Sequence, residues 1–392
     1  MDFYKRKTLK AKQVKEKFEE LFGNDPLIIR SPGRINLIGE HTDYNNGFVL
    51  PAAIDKEIYF AFSKNNQDLC RIFSYDYDEM LTFQLRDFAP APKGWINYIM
   101  GVVAQLQADG HPIGGFDCVF GGNIPIGAGL SSSAALENGV CLGLSSMFEL
   151  DLDKLTMVEY SQKAEHEYAG VACGIMDQFA SMMGKAGHAI RLDCRSMDYG
   201  YFPLNLGNYQ FILCDTKVEH ALADSEYNQR RQECELGVAA VQNLYSGINS
   251  LRDVTFEMLD TIRVEVPPTV YERCCYVLEE NERLLAGSQR LDNGDLEGFG
   301  QLMYASHDGL SKKYEVSCAE LDFLVDFTRD RQEVLGARMM GGGFGGCTIN
   351  LVKKDRIERF EAEITEAYQD QFKRKPEIYE LNIVDGTSVY GI

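Results

Sequence analysis

The sequence predicts a mixed α/β chain folded as two domains. Its 392 residues exceed the roughly 100 to 200 residues of a typical domain, so two hydrophobic cores are expected. Short apolar stretches typical of strands alternate along the chain with longer stretches of helical spacing. Because turn and strand signals follow Asn205, we divide the chain into an N-terminal domain of residues 1–205 and a C-terminal domain of residues 206–392.

The elements of the N-terminal half follow from local pattern. Apolar residues spaced among charges, Leu9 the first of them, predict a helix within the first 22 residues. The stretch LIIRSPG predicts a short strand that ends at Pro32 and Gly33, and FDCVF predicts a second strand. An apolar helix is expected to begin near Ser131 to Ser133. A helix at LTMVEYSQKAEHEYAG and a strand at HAIRLDCRS complete this half.

The C-terminal half is predicted to open with a strand at YQFILCDT and to continue in charged helices. A strand at CTINLV follows a run of glycines near the end of the chain. A final helix then leads to a strand at IYELNIV, and this last strand is free to return to the N-terminal domain.

The charge disfavours polyanionic partners. There are 59 Asp and Glu against 39 Lys and Arg, a formal net charge of −20, so neither nucleic acid nor an anionic membrane is an expected partner. The eleven cysteines include no C-x-x-C pair, which predicts reduced thiols instead of a disulfide scaffold or zinc module. A charged N-terminus and the lack of a run of about 18 apolar residues predict a cytoplasmic protein without a membrane span.

The most informative local pattern is PIGAGLSSSAALE, residues 125–137. Glycines at 127 and 129 allow close approach of the backbone to a ligand, and the helix that follows offers unpaired N–H groups suited to phosphate. The lack of a following lysine distinguishes this segment from a G-x-x-x-x-G-K-[ST] loop. A plain glycine turn with a serine N-cap is the alternative.

A second glycine run, Gly341–Gly346, formally contains G-x-G-x-x-G. A dinucleotide fingerprint should open a helix in the first βαβ unit, whereas this run lies near the C-terminus and precedes a strand pattern. We therefore reject a Rossmann interpretation. A tight turn, or a lid beside a bound phosphate, are the alternatives that remain.

The segment RINLIGEHTDYNNGFVLP, residues 34–51, is rich in short polar side chains. Such a density suits a polyol, because each buried sugar hydroxyl needs both a donor and an acceptor. A solvated polar loop is the alternative.

Two carboxylates farther along the chain are candidates for chemistry. Asp177 is the single acid in the apolar stretch GIMDQFA, which makes it a candidate general base. Glu165 is a second candidate carboxylate, for a metal, although a helix-surface position is the commoner case.

Three of these segments together resemble the motifs of the kinases that phosphorylate galactose, homoserine, mevalonate and phosphomevalonate. The motifs, in that family's order, are SPGRINLIGEHTDYNNGFVLP, GNIPIGAGLSSSAALE and GARMMGGGFGGCTI. Within this superfamily the chain is similar to the galactokinases, which AEHEYAGVACGIMDQ, SEYNQRR and YEVSCAELD also match. The resemblance implies two α/β domains with the active site in the cleft between them, and ATP-dependent phosphorylation of galactose at its anomeric hydroxyl, the first committed step of galactose catabolism.

The resemblance also implies roles for individual residues. Asp177 would accept the proton of the anomeric hydroxyl, and Arg34 would stabilise the charge of the transferred group. Ser133 and Glu165 would bind Mg²⁺, and Trp95 would stack on adenine, an ordinary core tryptophan being the alternative. The residues implied for the phosphates of ATP are Gly127, Ala128, Gly129, Leu130, Ser131, Ser132 and Ser133. Those implied for galactose are Glu40, His41, Thr42, Asp43, Gly174 and Tyr227.

Two alternatives to a galactose kinase stay open at this point. One is a sensor that binds ATP and galactose without catalysis, although the intact SSSAA of motif two argues against it. The other is a kinase of the same superfamily for a different small alcohol. Motif three has Met340 where threonine is usual, which would alter a hydroxyl contact near the phosphates. We expect small-molecule partners only, and a monomer.

Overall fold

The computed structural model describes residues 11–92, 94–125, 127–218 and 223–391, so Leu9 of the first predicted helix lies outside the described residues. The α-helices of these residues are α1 Ala11–Phe22, α2 Ile96–Ala108, α3 Ser132–Phe148, α4 Lys154–Ala164, α5 Met176–Met183, α6 Ala223–Gln242, α7 Phe256–Thr261, α8 Pro268–Asp292, α9 Leu296–Lys312, α10 Ala319–Asp326 and α11 Ile357–Phe372. No helix among the described residues combines the length and the apolar character needed to cross a membrane.

The strands of the described residues form three sheets. They are β1 Leu27–Asn36, β2 Phe48–Val49, β3 Pro51–Lys64, β4 Leu69–Ser74, β5 Glu79–Gln84, β6 Phe116–Gly122, β7 His188–Asp193, β8 Tyr199–Pro203, β9 Tyr209–Asp215, β10 Val334–Met339, β11 Cys347–Lys353, β12 Glu377–Glu380 and β13 Ser388–Val389. Their orders are β13-β1-β3-β6-β4-β5, β10-β11-β9-β12 and β2-β7-β8. The predicted mixture of helices and strands is confirmed.

The predicted end of the first strand at Pro32 and Gly33 is wrong. Strand β1 continues to Asn36, and its register against β3 shifts between Pro32 and Arg34. Such a bulge accommodates a residue without a backbone N–H and lets the ladder resume beyond it. The continuation places Arg34 on the ordered strand instead of in a loop.

Helix α3 packs against β3 through glycines that remove side-chain bulk. An added Cβ at Gly139 would lie 2.2 Å from Cε2 of Phe60, and one at Gly143 would lie 2.4 Å from Cε2 of Phe62. The two phenylalanines are buried in the largest apolar core. The two glycines therefore allow α3 to pack closely against β3. The helix begins at Ser132, within the range that the sequence predicts.

The C-terminal half builds its sheet from β9 and the strands near the end of the chain. Strand β9 pairs with both β11 and β12. The strands predicted at YQFILCDT and CTINLV are confirmed, whereas the strand predicted at IYELNIV ends at Glu380 and remains in this sheet. Helix α9 packs on β10 at a close backbone contact, where an added Cβ at Gly300 would lie 2.1 Å from the carbonyl oxygen of Leu335. A separate apolar core forms around helix α8, with Tyr276 and Tyr314 fully buried in it.

Beyond β12 the chain returns to the first sheet. Strand β13 pairs with β1, with Val389 opposite Ile29 and Ser388 opposite Arg30. The boundary predicted near residue 205 falls between β8 and β9, which belong to different sheets. The division into two folding units at that point stays a prediction.

The packing of α3 generates a stability prediction. Replacing glycine by alanine inside a helix normally stabilises it by about 1 kcal/mol, but Gly139→Ala would force a methyl group into Phe60. Because overpacking a core costs about 1–3 kcal/mol, we expect the free energy of unfolding to fall by about 1–2 kcal/mol, measured by urea denaturation. Gly200→Ala, in strand β8, is a control for a glycine with room for a methyl group, since its Cβ would lie 3.6 Å from Phe202. Equal stability of Gly139→Ala and the wild type would contradict this account of the packing.

Candidate active site

The centre of the candidate site is an ion pair between β1 and α5. Nε and Nη2 of Arg34 donate to Oδ1 and Oδ2 of Asp177 at 2.7 and 2.9 Å, and Nη1 donates to the carbonyl oxygen of Gly129 at 2.6 Å. A bidentate arginine–carboxylate pair fixes both partners in one plane. Arg34 is buried, whereas 27% of the Asp177 side chain remains exposed, so Asp177 is the member that a ligand can reach.

The loop of motif two lies directly on β1. An added Cβ at Gly33 would lie 2.5 Å from the carbonyl oxygen of Leu130, and the N–H of Arg34 donates to that oxygen at 3.2 Å. Gly127 and Gly129 adopt positive φ angles of 75° and 73°, a conformation that favours glycine. The loop glycines therefore serve its turn, whereas Gly33 on β1 leaves room for the loop against the strand.

The serines at the start of α3 do not act as a simple N-cap. Ser131 has a left-handed backbone and makes no capping hydrogen bond; its hydroxyl donates instead to Oδ2 of Asp177 at 2.5 Å. The first backbone N–H groups of a helix have no partner within the helix. The helix start thus combines free N–H groups, a partial positive charge and two further serine hydroxyls, an arrangement that suits an anion.

Asp43 and Gly174 are in direct contact. An added Cβ at Gly174 would lie 1.9 Å from Oδ2 of Asp43, so only glycine fits beside this carboxylate. Asp43 is buried, and burial, followed by repulsion from Asp177, raises its pKa to about 7. A buried carboxyl with this pKa can accept or donate a hydrogen bond near neutral pH.

Contacts with motif three stabilise the ionised form of Glu40. Its Oε1 accepts from Nη2 of Arg338 at 2.8 Å and from the N–H of Gly341 at 2.9 Å. Burial opposes ionisation, but the charges of Arg338 and Arg34 outweigh it and lower the pKa of Glu40. Nearby, Thr42 is buried and donates its hydroxyl to the backbone of the same turn, at Gly39 and Phe48.

His41 is a neutral member of an aromatic cluster. Burial lowers its pKa to about 4. Since the carbonyl oxygen of Gly342 can only accept, Nε2 of His41 donates to it at 3.2 Å, and Nδ1 accepts from the hydroxyl of Tyr44 at 2.8 Å. Tyr227, on α6, completes the cluster, with its ring 5.3 Å from that of His41. The cluster joins motif one to helix α6 and to the glycine run.

Glu165 lies beside the serines of motif two, in a π-helical turn that follows α4. Nε2 of Gln178 donates to its Oε2 at 2.6 Å, and both Gln178 and the hydroxyl of Ser133 favour the ionised form of Glu165. Burial, followed by repulsion from Asp177, raises the pKa of Glu165 to about 7. Buried Glu137 is nearby, and burial together with Glu165 raises its pKa well above the usual value. Burial and mutual repulsion therefore favour the protonated forms of Glu165 and Glu137.

The structure brings most of the predicted residues together, from β1, the motif-one turn, α3, α5 and α6. The roles predicted for Trp95 and Met340 stay predictions. Trp95 sits at the start of α2, where its ring packs against Phe120 at 5.1 Å and its N–H donates to Glu79 at 3.3 Å, so contact with adenine stays a prediction. Met340 is 1% exposed and packs in the largest core, a position that suits its apolar side chain.

Family models match three stretches of the chain. They are a galactokinase galactose-binding signature over residues 16–64, the N-terminal domain of GHMP kinases over residues 97–185, and the C-terminal domain of GHMP kinases over residues 286–370. The chain is also 40% identical over 375 residues to a galactokinase of Roseiflexus sp. (strain RS-1), covering 95% of this chain and 96% of that protein. The chain belongs to the galactokinase family. A second member, from Thermotoga neapolitana, is 42% identical and spans 91% of this chain and 98% of its own length.

Solved structures of this family and its superfamily share the fold. The structure of Lactococcus lactis galactokinase complexed with galactose matches with a TM-score of 0.93 and 34% identity, over 97% of this chain and 99% of that one. The mevalonate kinase of Methanococcus jannaschii matches with a TM-score of 0.67 at 19% identity, over 92% and 99%, which shows a common fold. The fold predicted from the resemblance, that of a two-domain galactokinase-like kinase, is confirmed.

Sequence reasoning missed three residues that support the predicted ones. Arg338, a single arginine in the apolar strand VLGARMM, binds Glu40, and that isolated charge is the signal available in the sequence. Gln178 directly follows Asp177 and donates to both Glu165 and Glu137. No periodicity distinguishes Gln178 or Glu137 from ordinary helix residues, because their role arises only when α3, α5 and the π turn meet.

The raised pKa of Asp43 predicts a pH dependence of stability. An unfolded aspartate has a pKa of about 3.9, and Asp43 has one of about 7 in the fold. The stability that protonated Asp43 allows is therefore lost as pH rises from about 4 to about 7. Asp43→Asn cannot ionise, so its loss of unfolding free energy between pH 5 and pH 8 should be about 2–3 kcal/mol smaller than in the wild type.

Denaturant melts at the two pH values test this expectation. Asp25→Asn is the control, since the Asp25 side chain is 83% exposed and its removal should leave the pH slope unchanged. An Asp43→Asn slope identical to that of the wild type would contradict the account of Asp43.

Proposed function

We propose that the chain transfers the γ-phosphoryl group of ATP to the anomeric hydroxyl of galactose, giving galactose 1-phosphate and ADP. The observation that carries this proposal is the Arg34–Asp177 pair. It places one accessible carboxylate between the loop of motif two and the polar turn of motif one, in a chain of the galactokinase family. Such a position is where an acceptor hydroxyl and a transferred phosphoryl group would meet.

We assign the phosphates of ATP to residues 127–133. The positive φ angles of Gly127 and Gly129, the free N–H groups of α3 and the Ser131–Asp177 contact support this assignment. With a net charge of −20, the chain offers little general attraction for a nucleotide, so local groups must supply it. Trp95 is proposed to stack on adenine.

We assign galactose to the turn of motif one and its neighbours. The proposed ligands of the sugar hydroxyls and ring are Glu40, His41, Thr42, Asp43, Gly174 and Tyr227. Their support is chemical: Glu40 is ionised and accepts, neutral His41 and Tyr227 offer polar edges on an aromatic surface, and Gly174 keeps the space above Asp43 free of a side chain. A buried sugar hydroxyl needs this mixture of donors and acceptors.

The residues at the start of α3 fit a magnesium ion. Ser133 and Glu165 provide hard oxygen donors of the kind Mg²⁺ prefers. Oε1 of Glu137 is buried without a hydrogen-bond partner. The carboxyl groups of Glu137, Glu165 and Asp177 repel one another when ionised, and a bound cation would offset that repulsion. We therefore propose Ser133 and Glu165 as ligands, where Mg²⁺ bound with ATP would neutralise charge on the phosphates.

The reaction follows from positioning. Phosphoryl transfer passes through a loose transition state, so the acceptor hydroxyl need not lose its proton before attack. We propose that Asp177 orients the anomeric hydroxyl and takes its proton as the new O–P bond forms and the bond from the γ-phosphorus to ADP breaks. Arg34 donates toward the transferred group while it holds Asp177 in place. A monomer in the cytoplasm, without nucleic acid or membrane partners, completes the proposal.

The first test is ADP release with ATP, Mg²⁺ and a panel of acceptors that includes galactose, mevalonate and homoserine. We expect turnover with galactose. Binding of galactose and ATP without turnover would favour a sensor, and turnover with mevalonate or homoserine alone would overturn the proposed substrate.

The proposed role of Asp177 predicts a loss of turnover. In the same assay Asp177→Asn should lower kcat by about 10²–10⁴-fold, the range of general-base catalysis. ATP binding, measured by calorimetry, should remain nearly intact. Near-normal turnover would remove Asp177 from the mechanism.

The proposed metal site predicts a change in the magnesium requirement. Glu165→Gln removes a charged ligand, so the Mg²⁺ concentration for half-maximal activity at fixed ATP should rise about tenfold, a loss of about 1.4 kcal/mol. Glu167→Gln is the matched control, because Glu167 lies in the same π turn but is exposed. Thermal shifts with Mg²⁺ and ADP give a second readout. A magnesium titration that superimposes on the wild type would show that Glu165 is no ligand.

A further inference from the structure

Arg338 is the largest fully buried side chain among the described residues. A guanidinium group without solvent is costly unless every donor is satisfied and the charge is paired. Nε donates to the carbonyl oxygen of Leu37 at 2.8 Å, Nη2 to that of Asn36 at 2.6 Å, and Nη1 to that of Met339 at 2.7 Å. Arg338 thus ties strand β10 to the end of β1.

The fourth contact reaches the proposed sugar site. Nη2 of Arg338 also donates to Oε1 of Glu40, and the N–H of Gly341 donates to the same oxygen. Both donors come from motif three, and both use Oε1. Oε2 of Glu40 is not engaged by this pair, so it is the oxygen left to accept from a ligand.

The backbone next to Arg338 is held independently. Nδ1 of His307 accepts from the N–H of Met339 at 3.2 Å, and Nε2 of His307 donates to Asp322 at 3.2 Å. The end of β10 is therefore fixed from its other side by groups that do not touch Glu40. His307 and Asp322 therefore support the end of β10, whereas Arg338 also contacts the carboxylate of Glu40.

We propose that Arg338 is a positioning residue for galactose binding, which acts by holding Oε1 of Glu40 so that Oε2 meets a sugar hydroxyl. The inference rests on the proposed function, in which Glu40 binds the sugar. It assigns the specific contribution of Arg338 to galactose affinity, whereas the nucleotide is held elsewhere. The same contact connects occupation of the sugar site with the start of the glycine run.

A double-mutant cycle tests this assignment. Arg338→Lys keeps a positive charge but cannot make the forked contacts, so the Kd for galactose should rise about tenfold, while the Kd for ADP changes less than twofold. In a protein that already carries Glu40→Gln, adding Arg338→Lys should raise the Kd for galactose by less than a further factor of two. The ion pair between Arg338 and the Glu40 carboxylate, through which Arg338 is proposed to act, is already absent there. The control is Arg273→Lys, since Arg273 is also buried and its hydrogen-bond partners, Glu233, Lys313 and Glu315, lie outside motif one; its galactose Kd should stay within twofold.

The outcomes are distinguishable. If Glu40→Gln alone leaves galactose affinity unchanged, the proposed role of Glu40 is wrong. If Glu40→Gln weakens binding but Arg338→Lys does not, or if the two effects add fully, only the inference about Arg338 is overturned. Equal losses for galactose and ADP would mean a general structural effect and would also overturn it.

Hydrogen exchange on the unmodified protein decides the matter if Arg338→Lys fails to fold. Because Glu40 accepts from the N–H of Gly341, bound galactose should slow exchange of that amide severalfold. The amide of Gly300, in helix α9, serves as an internal reference and should not respond. Unchanged exchange at Gly341 under saturating galactose would overturn the proposal.

Discussion

The contact between Arg34 and Asp177 is the interaction on which the rest of the site depends. It requires that β1 continue past Pro32, that the loop of motif two lie against Gly33, and that α5 present its first turn to both. Each of these conditions is met by a different part of the chain. The bidentate pair can therefore form only when β1, the loop of motif two and α5 all occupy their native positions.

The site contains more buried carboxyl groups than its two arginines, Arg34 and Arg338, can pair with. Arg34 and Arg338 keep Glu40 ionised, whereas Asp43, Glu165 and Glu137 have raised pKa values because burial and like charges disfavour their anions. A protein selected for stability alone would avoid such a cluster. In the proposed function, sugar hydroxyls and Mg²⁺ would supply hydrogen-bond donors and positive charge to these carboxyl groups, and binding would lower the cost of burying them.

The sequence predicts the fold class and about half of the strands from local pattern, and the resemblance to a kinase family groups the site residues. Each glycine run or isolated acid taken alone also fits a purely structural role. The sequence does not predict contacts that arise only from packing. The strand was expected to end at Pro32, yet a bulge carries it on to Asn36. Arg338 and Gln178 acquire their roles from residues distant in sequence, and local pattern holds no record of those partners.

The pairing of β13 with β1 has a consequence for synthesis of the chain. Val389 lies opposite Ile29, and the hydroxyl of Thr387 is 2.9 Å from that of Ser31. The edge of the strand that carries Arg34 consequently stays uncovered while the ribosome makes almost everything between these partners. An exposed strand edge can pair with other chains, so this edge of β1 is a possible site of aggregation until β13 has been synthesised.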